Sequence, residues 1–217
     1  MIVPTKLKSG PDEAENLLGD FSGLLEKIGL RPEAGFFENS DLPFSIKNLK
    51  SLKNFLGEYQ QHILIPIEWP AIYQAYFHAA RHQARELIAL DQRLASEPRL
   101  KIFAAASQRV GRNQLQRLKP LRDHRLAQRY LESVESKKSH GWHTLVYGIT
   151  LAIYSLPLRQ GLALYAEQTL RGFSLAAARD RHFSENKCRD LIQERISTLP
   201  VSIEKILQQR DFLSRAI

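Results

Sequence analysis

Between residues 141 and 179 the chain is apolar, dense in glycine and alanine, and interrupted once by proline. It runs Gly141-Trp142-His143-Thr144-Leu145-Val146-Tyr147-Gly148, continues through Leu151 and Leu156, and resumes as Pro157-Leu158-Arg159-Gln160-Gly161-Leu162-Ala163-Leu164-Tyr165. It closes on Ser174-Leu175-Ala176-Ala177-Ala178-Arg179. Proline fits the first turn of a helix, where its missing N–H is not needed, and it disfavours helix in the residue before it. The segment therefore reads as two buried helices meeting at Pro157. Gly148, Ala152, Gly161, Ala163, Ala166 and Gly172 are small enough to let backbones approach closely. Such a pair belongs at the packed centre of an all-α body, and nothing in it reads as an active site.

The rest of the chain follows the same period. Leu17, Leu18, Phe21, Leu24, Leu25 and Ile28 mark a helix over 12–28, which Gly29 ends. Residues 31–43 carry Pro32, Gly35, Asn39, Ser40, Asp41 and Pro43 and read as loop. A helix over 45–64 holds Leu49, Leu52, Phe55, Leu56, Tyr59, Ile63 and Leu64, and Pro66 is expected to end it. Further helices are expected over 68–82, 85–94, from Pro98 to about residue 118, through Tyr130, over 185–199 and over 202–215. Residues 132–139, rich in Ser, Lys and Glu, are the expected flexible stretch. No run alternates with period two. The expectation is one all-α, bundle-like domain of roughly nine or ten helices over 13–217, preceded by a loose arm over 1–12.

Charge and cysteine content limit the setting. The 217 residues carry a formal charge of +8, with 43% hydrophobic residues and one cysteine, Cys188. That balance suggests an anionic partner, whether nucleic acid, acidic protein or phosphate. Arg99, Lys101, Arg109, Arg112, Arg117, Lys119, Arg122, Arg125 and Arg129 are opposed within their stretch only by Asp123, which keeps a nucleic-acid-binding helical protein open as the alternative. A solvated helix face is the plainer reading. No apolar run is long enough for a membrane span, and the start lacks the apolar middle of a secretion signal. A cytoplasmic location is the expectation.

Chemistry-bearing motifs are sparse. No Gly-rich phosphate loop, Cys-x-x-Cys or His-Glu-x-x-His occurs, so neither nucleotide hydrolysis nor a cofactor is expected. His78 and His82 share a helix face, but no Cys or carboxylate at ligand spacing completes a metal set, so a surface or hydrogen-bonded pair is the expected role. His140 and His143 flank Trp142 and read as hydrogen-bonded helix-start residues. Cys188, beside Lys187 and Arg189, reads as packing. Trp69, Tyr73, Tyr76 and Phe77 follow helical spacing and read as core, not as a stacking platform for bases.

Three groups of residues, in order, carry a likeness to a known family. The first is Leu52-Lys53-Asn54-Phe55-Leu56-Gly57-Glu58-Tyr59, then Glu68-Trp69-Pro70 and Ala79-Ala80. The second is Leu90-Asp91-Gln92-Arg93-Leu94, then Ser107-Gln108-Arg109-Val110-Gly111-Arg112. The third is Gly141-Trp142-His143, Tyr147-Gly148, Leu156-Pro157-Leu158, Ala163-Leu164-Tyr165 and Ala176-Ala177. Over 32–195 the chain resembles the UreF family of urease accessory proteins. In the family's first loop, a Pro-x-Gly-x-aromatic pattern leads into His-Ser-x-Gly-Leu-Glu. Here the matching stretch is Pro32-Glu33-Ala34-Gly35-Phe36-Phe37-Glu38-Asn39-Ser40-Asp41-Leu42: the proline, aromatic and leucine persist, while Glu38-Asn39 stands for His-Ser and Asp41-Leu42-Pro43 for Gly-Leu-Glu. The family's Gly-Gln loop is here Phe183-Ser184-Glu185-Asn186.

The resemblance implies a non-catalytic, all-helical chaperone that forms a homodimer and binds the accessory protein UreD (also called UreH). Through it the family recruits the GTPase UreG and promotes nickel insertion into urease apoprotein. No full nickel-ligand set maps onto this chain, so no metal residue is assigned. The family's contact loops place the expected partner-binding residues at Phe36, Asn39, Leu42, Arg179, Phe183 and Glu185.

Overall fold

The computed structural model describes residues 46–118 and 125–215, apart from the side chains of residues 180, 181, 185 and 209–215. Every regular element among the described residues is helical, as the period of the apolar positions requires. The order is α1 (Leu49–Tyr59), a π-helical segment (Gln60–Glu68), α2 (Trp69–Ala80), α3 (Ala84–Ala95), a 3₁₀ turn (Pro98–Phe103), α4 (Ala104–Leu118), α5 (Arg125–Glu135), α6 (His143–Ile153), α7 (Leu158–Arg181), α8 (Glu185–Ile196) and α9 (Leu199–Arg215). The arm expected over 1–12, the helix over 12–28 and the loop over 31–43 lie outside the described residues. The expected total of nine or ten helices counted that first helix, so it is not confirmed for the whole chain.

Local chemistry sets the ends of α1. Asn48 Oδ1 accepts the Ser51 N–H at 2.8 Å, and Ser51 Oγ accepts the Asn48 N–H at 3.0 Å, a reciprocal cap that satisfies two orphan donors. Leu52, Leu56 and Tyr59 then fall on one buried stripe. The expected stop at Pro66 does not occur. The chain continues through a π-helical segment into α2, making one unbroken rod. Proline removes an N–H and crowds the carbonyl four residues back, and the wider i→i+5 winding accommodates it without ending the helix.

The two helices expected around Pro157 are α6 and α7, with Pro157 as the N-cap of α7. Residues 143–151 of α6 are buried all round. Helices α2 and α6 form the centre of the molecule, and each faces two cores. On one side, Leu52, Leu56, Leu64, Leu162, Leu170 and Phe173 join α1, the π segment and α7. On the other, Leu87, Leu94, Leu115, Tyr130, Leu145 and Ile149 join α3, α4, α5 and α6. Each such fully buried side chain contributes on the order of 1.5–3 kcal/mol. Ala75 gives α2 a small surface, and a methyl group at Gly148 would lie 2.6 Å from Ile72 O and 2.9 Å from Ala75 Cβ. Residues 132–139, expected to be flexible, instead complete α5 and fold into a turn. Ser133 and Ser139 are buried and share a 2.6 Å hydroxyl bond, and the Lys138 N–H returns to Ser133 O.

Candidate functional site

The ionisable and aromatic polar groups of the interior collect at two places, both beside the start of α6. The first is the turn 140–143, which three separate elements clamp. Asp91 of α3 is wholly buried. Its Oδ1 accepts the His140 N–H at 2.7 Å and bonds His140 Nδ1 at 2.9 Å, while Oδ2 accepts the Tyr130 hydroxyl at 2.6 Å and the Gly141 N–H at 3.0 Å. Burial and the Asp91 charge push the Tyr130 hydroxyl well above its ordinary pKa. From α4, Ser107 Oγ accepts the His143 N–H at 3.2 Å and Arg112 Nε donates to His140 O at 3.0 Å. Gly111 lets α4 lie directly on this backbone, since a methyl group there would fall 2.2 Å from Gly141 O. Gly141 itself has φ +75°, a conformation that favours glycine.

This clamp orders structure and leaves little free chemistry. Four donors converge on Asp91, the His140 Nδ1–H among them. His140 borders a cleft of about 480 Å³ with Arg112, Leu115, Leu131, Val134 and Lys137. The nearest hydroxyl nucleophile, Ser139, is buried and engaged with Ser133.

The second place is a buried polar centre. Glu68 closes the π segment, and its Oε2 accepts the Tyr59 hydroxyl of α1 at 2.5 Å. The Tyr165 hydroxyl of α7 bonds the same carboxyl and lies 3.4 Å from Thr144 Oγ1 of α6. His143 stacks on Tyr165 with ring centroids 5.5 Å apart, and Tyr147 packs edge-on to Tyr165 at 5.1 Å. Burial raises the Glu68 carboxyl to about 7, although the tyrosine bonds oppose it. Burial also lowers His143 to about 3, so its ring is neutral at neutral pH. The Tyr147 hydroxyl donates to Gly161 O at 2.9 Å, and Trp69 Nε1–H donates to Leu162 O at 3.1 Å. Both bonds tie α7 to the central pair.

The expected partner-binding residues divide into two groups. Phe36, Asn39 and Leu42 lie outside the described residues. Arg179, Phe183 and Glu185 gather at the corner between α7 and α8, where His182 adopts φ 55°. Arg179 is exposed, whereas Phe183 is half-buried and packs on the first core. Glu185 begins α8.

His78 Nδ1 meets Gln83 Oε1 at 2.9 Å, and no group of three or more metal-ligating side chains occurs among the described residues. Cys188 is buried in the first core. Within the basic stretch, Arg99 is bound to Glu97 at 2.8 Å and Arg112 to the clamp; Lys101, Arg117, Arg125 and Arg129 are exposed. Lys119 and Arg122 lie outside the described residues. No described helix is long and apolar enough to cross a membrane.

The described residues thus form an all-helical fold whose buried polar groups join helices to one another. The model of the UreF family matches residues 46–192, a span that contains the clamp and the polar centre and begins after residues 32–43. The chain belongs to the UreF family of urease accessory proteins. No curated protein matches it significantly. Residues of all three sequence groups that carried the likeness meet beside the start of α6. The sequence displayed Glu68, Asp91 and Tyr165 within those groups without revealing that Glu68 bonds Tyr165 and that Asp91 bonds His140 and Gly141. Buried acids in otherwise amphipathic helices were the available signal, because a charge is retained in a core only when it is bonded.

Proposed function

We propose that this protein is a non-catalytic scaffold for urease maturation. It binds a UreD/UreH-type accessory protein, recruits the UreG GTPase through it, and promotes nickel insertion into urease apoprotein. The family match over 46–192 carries this reading. The distribution of polar groups supports it, since Asp91, Glu68, Tyr130 and Tyr165 are spent on joining helices and are remote from solvent. Recognition then belongs to the exterior: the 32–42 loop with Phe36, Asn39 and Leu42, and the α7–α8 corner with Arg179, Phe183 and Glu185. The scaffold works as a homodimer in the cytoplasm.

The test is co-purification of the tagged chain with UreD-type and UreG-type proteins. The wild type should retain both, with UreG retained only when UreD is present. Phe36→Ala should weaken retention at least tenfold while leaving the thermal midpoint unchanged. Retention of neither partner by the wild type overturns the reading, and undiminished retention by Phe36→Ala removes the first loop from the contact.

A further inference from the structure

The rod of α1, the π segment and α2 carries a contact that depends on its winding. Tyr59 immediately precedes the segment and Glu68 is its last residue, and their side chains are bonded. In an α-helix, residues nine apart are turned by roughly 900° and separated by roughly 13.5 Å along the axis, which puts them on opposite faces. The i→i+5 winding turns only about 80° per residue and brings them onto nearly the same face. The Tyr59–Glu68 bond therefore belongs to the π winding. Long π runs are rare, so this one needs a tertiary hold. An α winding is disfavoured too, because the Pro66 ring would crowd the carbonyl of residue 62. Tertiary contacts therefore hold the segment: the Tyr59–Glu68 bond at its two ends, the Gln60 Nε2 bond to Thr198 Oγ1 at 2.9 Å and the burial of Leu64 and Ile67.

The surroundings of that bond contain no counter-charge. Tyr59 faces Glu68 from α1 and Tyr165 from α7, and beyond Tyr165 stand Thr144, Tyr147 and neutral His143 of α6. Among the described residues no lysine or arginine is buried. The tyrosine hydroxyls donate to this carboxyl and partly offset the cost of its charge, but a carboxylate here remains a buried charge without a cation, and burial outweighs the two bonds. We propose that protonated Glu68 latches residues 60–68 in the π winding, and that loss of its proton to solvent releases the segment. Burial holds this carboxyl at about 7, so the latch works in the neutral range. Release turns α1 relative to α2, and residues 32–42 precede α1 in the chain. The effect on partner binding rests on the function proposed above; the latch does not.

The experiment is a carboxyl-¹³C and amide NMR titration of the isolated full chain from pH 5.5 to 8.5. Glu68 should titrate near 7, and the amides of 60–68 should shift with the same midpoint. Their hydrogen exchange, corrected for intrinsic rates, should rise at least tenfold across it. Glu68→Gln should remove the midpoint, and Tyr59→Phe should speed exchange of 60–68 at both ends of the range. A Glu68 carboxyl that titrates in the ordinary range, or amides of 60–68 that ignore its titration, overturns the latch. Should Glu68→Gln fail to fold, the wild-type titration decides alone. Loss of partner retention in the co-purification would leave this titration unchanged, so the two proposals fail separately.

Discussion

Gly111 and Gly57 both lie inside helices, but a methyl group meets different surroundings at each. At Gly111 it would strike Gly141 O at 2.2 Å and His143 N at 2.6 Å, which are backbone atoms held by the clamp. Gly111→Ala should therefore destabilise the protein by about 1–3 kcal/mol or more. At Gly57 the nearest atoms belong to the Arg195 guanidinium, at 3.1–3.3 Å, the far end of a flexible side chain. Helix propensity favours alanine by up to about 1 kcal/mol, so Gly57→Ala should stay within about 1 kcal/mol of wild type. Asp91→Ala strands a buried hydroxyl, two N–H groups and an imidazole, and should lose about 3 kcal/mol or more. Urea midpoints of the three variants check these values. The sequence showed Asp91, Gly111 and Gly141 plainly. It could not show that they touch, because residues 50 and 30 positions apart are joined only by tertiary packing.

Helix ends were the least legible elements, and the reason is local. Positive φ is usually signalled by glycine or asparagine after a helix. Here His82, Lys137, Ser155 and His182 take that conformation. After the first three, paired backbone bonds close the helix end, as when Ser155 N–H reaches Ala152 O and Leu156 N–H reaches Leu151 O at 2.8 Å. At the fourth, Phe183 N–H returns to Ala178 O. An L-residue is strained there, so Ser155→Gly should stabilise by about 0.5–1 kcal/mol, read as a higher urea midpoint at unchanged slope. Helix interiors were legible because their apolar period is forced by burial. The stop expected at Pro66 failed because a proline ends an α winding and not a wider one.

At the scale of the whole molecule, two buried groups pull stability in opposite directions with pH. Glu68 has its folded pKa raised from 4.5 to about 7. Its contribution is full below 4.5 and is lost as pH rises through about 7. His143 has its folded pKa lowered from 6.5 to about 3. Its contribution is full above 6.5 and is lost as pH falls towards about 3. Between 4.5 and 6.5 the two slopes oppose each other, each limited to about 1.4 kcal/mol per pH unit. Relative to wild type, Glu68→Gln should lose stability more steeply as pH falls through this window, and His143→Phe less steeply. Urea unfolding at half-unit pH steps measures both, and parallel curves for all three proteins would contradict the assignment.

The proposed scaffold role places recognition on the exterior, whereas the family was readable from ordered motifs because those motifs hold the fold together. Recognition surfaces carry no such geometric constraint, so the partner residues were inferred by likeness alone. The most direct measurement is activation of apo-urease by nickel with UreD-type and UreG-type proteins and GTP, with and without this chain. The account expects urease activity to rise at least tenfold when the chain is added. Equal activity in its absence, with all other components folded and present, would contradict the scaffold role.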